Sequence, residues 1–132
     1  MNIVYETDGP VSADELSELF RNSGINRPYN DLERLEWMIE NSDILVTARV
    51  EGFLVGIARS VSDFSYCCYL SDLAIDRKYQ KIGIGRELVN RTREQISEEV
   101  SLILLSAETA LNYYPRIGFE RVDNAFVIKR KR

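Results

Sequence analysis

From Ile44 onward, apolar residues recur at every second position through ILVTARV, FLVGIARSV and SYCCYLSDLAI. Glu51-Gly52 separates the first two runs and a break at Ser62-Asp63 precedes the third. A period of two places one face of each run on a core, and turns this short bring the chain back beside itself antiparallel. The meander makes this a sheet protein, and whatever flanks it must cover that sheet. At its far end stands YQKIGIGREL, Tyr79 to Leu88, where Gly83 and Gly85 divide a strand from what reads as a helix.

The flanking segments supply the covers. Residues 2–6 (NIVYE) read as a short strand. Ser12 with Glu15 forms a capping box opening a helix over about 12–22, its apolar positions Leu16, Leu19 and Phe20 at helical spacing. SGINRPYN breaks that pattern, and Asn30 or Asp31 caps a second helix to about Asn41, with Leu32, Leu35, Met38 and Ile39 as its buried stripe. After the glycines, Leu88, Val89, Thr92 and Ile96 share one helix face to about Glu98. SLILLSA then reads as a strand buried on both faces. Strand, crossover helix and strand place those two strands parallel. TALNYYPRI makes one or two helical turns before Gly118 and Phe119 begin a closing strand to about Lys129. The fold class is α/β: a mixed central sheet, antiparallel in its first half, with helices on both faces.

With 132 residues, 45% hydrophobic and 29% charged, the chain is expected to form one domain, 1–132, burying roughly two thirds of its unfolded surface. It has no histidine, so the commonest zinc ligand and the commonest general base are both missing; no metal is expected and Ser-His-Asp chemistry drops out. Cys67 and Cys68 are strand neighbours pointing to opposite faces, so a disulfide between them would strain the backbone, and they read as buried thiols. A net charge of −4 argues against a nucleic-acid partner. The basic cluster Lys129 to Arg132 follows an alternating run and reads as the solvated end of a last strand. MNIVYETDGP lacks a signal-peptide profile and no run approaches the roughly 18 apolar residues of a membrane span. A cytoplasmic protein without a membrane partner is expected.

A strand-to-helix junction leaves the first helical N–H groups unpartnered, and with the helix dipole they form an anion site suited to phosphate. Glycine at 83 and 85 permits positive φ and close backbone approach, while Ile82 and Ile84 are free to pack inward. A P-loop fails because Arg86-Glu87 follows Gly85, and the dinucleotide fingerprint GxGxxG fails at Leu88. Gln80-Lys81-Ile82-Gly83-Ile84-Gly85 instead fits Gln/Arg-x-x-Gly-x-Gly/Ala, the opening of the coenzyme A pyrophosphate loop in the GCN5-related N-acetyltransferases (GNATs). It follows LAID, which resembles that family's fourth strand. About thirty residues on, Tyr113-Tyr114-Pro115-Arg116-Ile117-Gly118-Phe119 resembles the family's Phe/Tyr-Tyr-x-Lys/Arg-x-Gly-Phe segment. The element order matches over nearly the whole chain.

The resemblance implies an enzyme with acetyl-CoA as cosubstrate, moving an acetyl group to the primary amine of a small molecule by direct attack on the thioester. Acetylation of a protein N-terminus or lysine, or a non-catalytic acyl-CoA sensor, are the alternatives, and a homodimer is compatible with each. It also implies that strands four and five splay around the cofactor. Leu73 and Ile75 then offer backbone hydrogen bonds to the pantetheine arm. Gln80, Lys81, Ile82, Gly83, Ile84, Gly85 and Arg86 form the cofactor loop, with N–H groups from Lys81 to Gly85 on the pyrophosphate and Arg77, Lys78 and Lys81 adding charge. Family members often carry Asn seven residues before the tyrosine; Ala107 stands there, and Asn112 is the substitute. Tyr114 matches the tyrosine placed near the sulfur, whereas Tyr113 reads as packing. Asp72, the only acid within the fourth strand, matches acids that meet the acceptor amine. Arg27, Tyr29 and Trp37 are expected to shape the acceptor pocket.

Overall fold

A computed structural model describes residues 1–132. Its elements run β1 (Ile3–Thr7), α1 (Ala13–Ser23), α2 (Leu32–Glu40), β2 (Ile44–Val50), β3 (Phe53–Ser62), β4 (Cys67–Ile75), α3 (Ile84–Glu94) and β5 (Ser101–Ile103). The strands form one sheet in the order β1-β2-β3-β4-β5, antiparallel from β1 to β4 and parallel between β4 and β5. Local chemistry sets the meander. Glu51 and Gly52 both take positive φ, 50° and 84°, the pairing that matches a two-residue turn to strand twist. Asp63 Oδ1 accepts from the N–H groups of Ser65, Tyr66 and Cys67, which starts β4 and holds the Asp63 carboxyl down to about 2.

Two cores flank the sheet. On one face Ile84, Leu88 and Val89 of α3 pack on Val46, Ala48, Val55, Ala58, Cys68 and Leu70. On the other, Leu16, Leu19, Phe20 and Leu35 of α1 and α2 meet Leu45, Ile57 and Ala74. Gly56 lets α3 settle close to β3, since a Cβ there would lie 3.1 Å from Ile84 Cγ2. The Ser12–Glu15 capping box is present at α1, and Asp31, not Asn30, caps α2.

Two irregularities in β4 position everything that follows. The β3–β4 register steps from Arg59↔Asp72 to Ser60↔Leu70, leaving Ser71 as an extra, bulged residue. The bulge reverses the facing of the strand: Leu70 joins the α3 core, while Ala74, an even number of residues on, joins the α1–α2 core. Second, β5 pairs with β4 only over Cys67–Tyr69, so from Leu70 to Ile75 β4 has no β5 partner and the sheet opens there.

Several sequence expectations are corrected. Helix α3 ends at Glu94, not near Glu98; turns closed by Gln95, Ile96 and Val100 N–H groups follow it, and Ile96 reaches the core from beyond the helix. SLILLSA is not buried on both faces, because β5 spans three residues at the sheet edge, with Ile103 and Leu105 half exposed. No closing strand forms: residues 121–132 are exposed and lie in no strand. Leu32 faces outward, leaving Leu35 as the fully buried residue of α2. Cys67 is exposed, Cys68 is buried, and both are free.

Candidate active site

The loop between β4 and α3 is built to leave backbone donors open. Helices α1 and α2 start with side-chain caps, Ser12 Oγ accepting from Glu15 N and Asp31 Oδ1 from Arg34 N, each at 3.1 Å. The N-cap of α3 is Gly83, which makes no such bond. The positive end of the α3 dipole and its first-turn N–H groups therefore face outward without a protein side chain to satisfy them. Lys81 and Gly83 both take positive φ, 69° and 94°, curling the loop ahead of the helix. Nothing lies within 4 Å of where a Gly83 Cβ would stand, so that glycine is required by its backbone conformation and by the open space before it.

Gly85 answers to a different constraint. A Cβ on it would collide with the hydroxyl of Tyr113 and approach Ile75 Cδ1 at 3.4 Å. The turn carrying Tyr113 is thus pressed against the start of α3, and Arg86 Nη2 holds it there by donating to the Arg116 carbonyl at 3.1 Å. Gln80 ties the loop back to the sheet: its Nε2 donates to the Ile75 carbonyl at 2.9 Å, so that carbonyl is already engaged. Ile84 is buried, but Ile82 is half exposed and does not pack inward. Arg77 lies against Gly24, the left-handed C-cap of α1, where a cation favours the helix C-terminus. Lys78 and Lys81 are exposed.

Tyr114 opens a short turn of 3-10 helix, Tyr114–Ile117. Its ring meets Tyr113 edge-on at 5.3 Å and Phe119 at 5.5 Å between centroids, fixing the side chain from both sides. Burial raises the Tyr114 pKa, the neighbouring Tyr113 raises it further, and the charge of Arg27 opposes both. Burial also raises that of Tyr113, opposed by Arg86. Tyr114 therefore keeps its proton throughout the neutral range, and Arg27 lies close enough for its field to be felt. Asn112 is exposed beside this turn, and Ala107 precedes it in extended conformation.

Asp72 occupies a different position from the one its sequence context implies. The bulge at Ser71 turns it toward the α1–α2 side, where it is 1% exposed and both carboxylate oxygens are taken. Arg27 Nε donates to Oδ1 and Arg59 Nε to Oδ2, each at 2.5 Å. Arg27 also reaches the Ser71 and Asn26 carbonyls, and Arg59 reaches Ser71 Oγ, Ser42 Oγ and the Met38 carbonyl. One carboxylate on β4 thus joins the α1–α2 loop and β3, and Arg59 carries the network on to the end of α2. An acceptor ammonium has no free carboxylate oxygen there, and every Arg27 nitrogen is already bonded to protein. Asp72 and Arg27, expected at the acceptor, here spend their polar atoms on protein partners. Arg59 and Ser71 were missed; the available signal was a lone Arg and a lone Asp at inward positions of two strands expected to pair. Tyr29 packs against α1, its carbonyl accepting from Ser17 Oγ at 2.6 Å. Trp37 is 62% exposed on α2 and shares no hydrogen bond with this cluster.

The geometry brings together a run of β4 that is paired to β3 but open on its β5 side, an uncapped helix N-terminus and a half-buried tyrosine. Residues 13–130 match the family model described as an acetyltransferase (GNAT) domain. An uncharacterized N-acetyltransferase, ycf52, of Pyropia yezoensis is 26% identical over 125 residues, covering 89% of this chain and 70% of that protein. A solved Staphylococcus aureus protein described as a probable acetyltransferase aligns with a TM-score of 0.83 at 20% identity, covering 98% of this chain and all of that one. The aminoglycoside N-acetyltransferase AAC(6')-Iy, solved in complex with CoA, aligns with a TM-score of 0.73 at 11% identity over 98% of this chain and 95% of that one. Family match, curated relative and shared fold agree across the chain, and it belongs to the GNAT acetyltransferases.

Proposed function

We propose that the chain is an acetyl-CoA-dependent N-acetyltransferase whose acceptor is the primary amine of a small molecule. The observation that carries the reading is the uncapped α3 N-terminus beside the run of β4 whose β5-side edge is open. A phosphate group satisfies donors that no side chain of this chain reaches, and the free β4 edge suits an amide-bearing arm laid along it. In this reading Gly83, Ile84 and Gly85 hold the phosphates through their N–H groups, Lys81 adds charge, and Leu73 presents its backbone to the arm. Acetyl-CoA supplies an activated thioester that a neutral amine attacks directly. Tyr114 holds its proton for the sulfur. Passing it fully from a group of pKa about 10 to a thiolate of about 8.5 costs about 2 kcal/mol, and burial increases that cost. Its role is therefore a hydrogen bond that strengthens as charge develops on sulfur.

Thiol release from acetyl-CoA across a panel of amines and lysine peptides tests the reading. Tyr114→Phe keeps the edge-on ring packing and removes the hydroxyl. It is expected to lower kcat and kcat/KM together by about 10- to 1,000-fold, with acetyl-CoA affinity retained. Because the Tyr114 pKa is raised, wild-type activity should show no loss from its ionisation below about pH 10. Turnover of peptides but no small amine redirects the acceptor to protein; acetyl-CoA binding without turnover of either makes the chain a sensor.

A further inference from the structure

Each Arg27 nitrogen has a protein partner, but the guanidinium carries five N–H groups and protein takes only three of them. Nε donates to Asp72 Oδ1, Nη1 to the Asn26 carbonyl and Nη2 to the Ser71 carbonyl. One N–H on each Nη is left over, and 26% of the side chain stays open to solvent. Two adjacent donors of this kind form a fork that suits a carboxylate. The charge agrees: Arg27 and Arg59 share the single carboxylate of Asp72, so the cluster carries one positive charge in excess. Asp43 and Asp63, at the hairpin end of β3 and β4, direct their oxygens to backbone N–H groups.

An apolar row lies beside this cluster. Arg59 and Val61 are two residues apart on β3 and face the same side of the sheet; Val61 pairs with Tyr69, and Tyr69 with Ile103. The three are 46%, 39% and 50% exposed. Tyr69 is also the last β4 residue paired to β5, so the row ends where the sheet opens. On the α3 face that region is occupied, with Leu73, Tyr113, Tyr114 and Phe119 packed against the α3 core. A thioester lying along the open edge of β4 is therefore approached from the α1–α2 face, past Arg27 and Tyr69. The charge of Arg27 is felt at Tyr114, which places the fork near the reacting end of that arm.

We propose that the acceptor is an amine that also bears a carboxylate and an apolar body, an amino-acid-like molecule whose carboxylate takes the two free Arg27 N–H groups while its apolar part lies on Tyr69 and Val61. The inference rests on the acetyltransferase reading above and narrows its acceptor. The excess positive charge attracts the carboxylate. It also disfavours the ammonium form of an amine held beside it, which leaves the nitrogen lone pair free to attack the thioester. The three bonds that tie Arg27 to the sheet and to its own loop fix the fork in place before the acceptor arrives, so little ordering remains to be done on binding.

Thiol release from acetyl-CoA tests this on the full chain with two matched pairs, phenylalanine against phenylalaninamide and 5-aminopentanoate against 5-aminopentanamide, and with glycine. Wild type is expected to favour the acid in kcat/KM by about tenfold or more in at least one pair, the difference residing in KM. Arg27→Gln should abolish that preference while acetyl-CoA still raises Tm. Where circular dichroism shows that Arg27→Gln does not fold, Tyr69→Ala gives the second reading: kcat/KM for phenylalanine relative to glycine should fall about tenfold. A wild type that prefers the acid in neither pair, turnover confined to amines without a carboxylate, a preference that survives Arg27→Gln, or an unchanged phenylalanine-to-glycine ratio in Tyr69→Ala overturns the proposal and leaves the acetyltransferase reading standing. No thiol release with any amine overturns both.

Discussion

At Gly83 the missing Cβ would meet no atom, whereas at Gly85 it would meet the Tyr113 hydroxyl, so two glycines in one short motif answer to different forces. An alanine at 83 pays only for the left-handed backbone, about 1–2 kcal/mol. An alanine at 85 must displace Tyr113, and through it the turn that carries Tyr114. We expect Gly85→Ala to lower Tm, Tyr113→Phe to do little, and the double variant to recover most of the loss, because removing the hydroxyl removes the collision. Thermal melts of the four proteins in a double-mutant cycle measure the coupling. Strict additivity would mean that Gly85 is kept small for another reason.

The bulge at Ser71 decides which core β4 serves above and below it, and with that the fate of Asp72. Three elements are held by one carboxylate between two guanidinium groups. Asp72→Asn keeps the shape and leaves two buried or half-buried cations without their anion, which costs about 3–5 kcal/mol. The expected result is a Tm lower by about 10 °C or more. Wild-type stability combined with a raised amine KM would instead make Asp72 an acceptor contact. The meander, the capping box and the helix after the glycines were legible because each depends on residues near in sequence: alternation in Ile44–Val50, Ser12 with Glu15, the spacing of Leu88, Val89 and Thr92. The Arg27–Asp72–Arg59 cluster was not, because a single bulged residue reverses facing and no local pattern announces it. Nor was the absence of a closing strand over residues 121–132, whose alternation is the same whether or not a strand forms. Tyr114 and the glycine loop were legible as a motif, but the reason for Gly85 required knowing what the distant Tyr113 presses against.

Over the whole molecule, helices on both faces hold the antiparallel half of the sheet rigid while β4 and β5 part beyond Tyr69, and α3 points its open end at the gap. In the proposed function this open end binds the cofactor's phosphates. Calorimetric titration of acetyl-CoA into wild type and Gly83→Asp tests it most directly, with thermal melting in parallel. An aspartate at the N-cap offers its carboxylate to the same N–H groups and repels phosphate, yet occupies space that is empty in the wild type. Wild type should bind, and at about 100 times Kd the ligand should add about 2.7 kcal/mol to its stability. Gly83→Asp should stay folded and lose that shift. A wild type that melts at the same temperature with saturating acetyl-CoA, or a Gly83→Asp variant that binds as tightly as wild type, would contradict the claim.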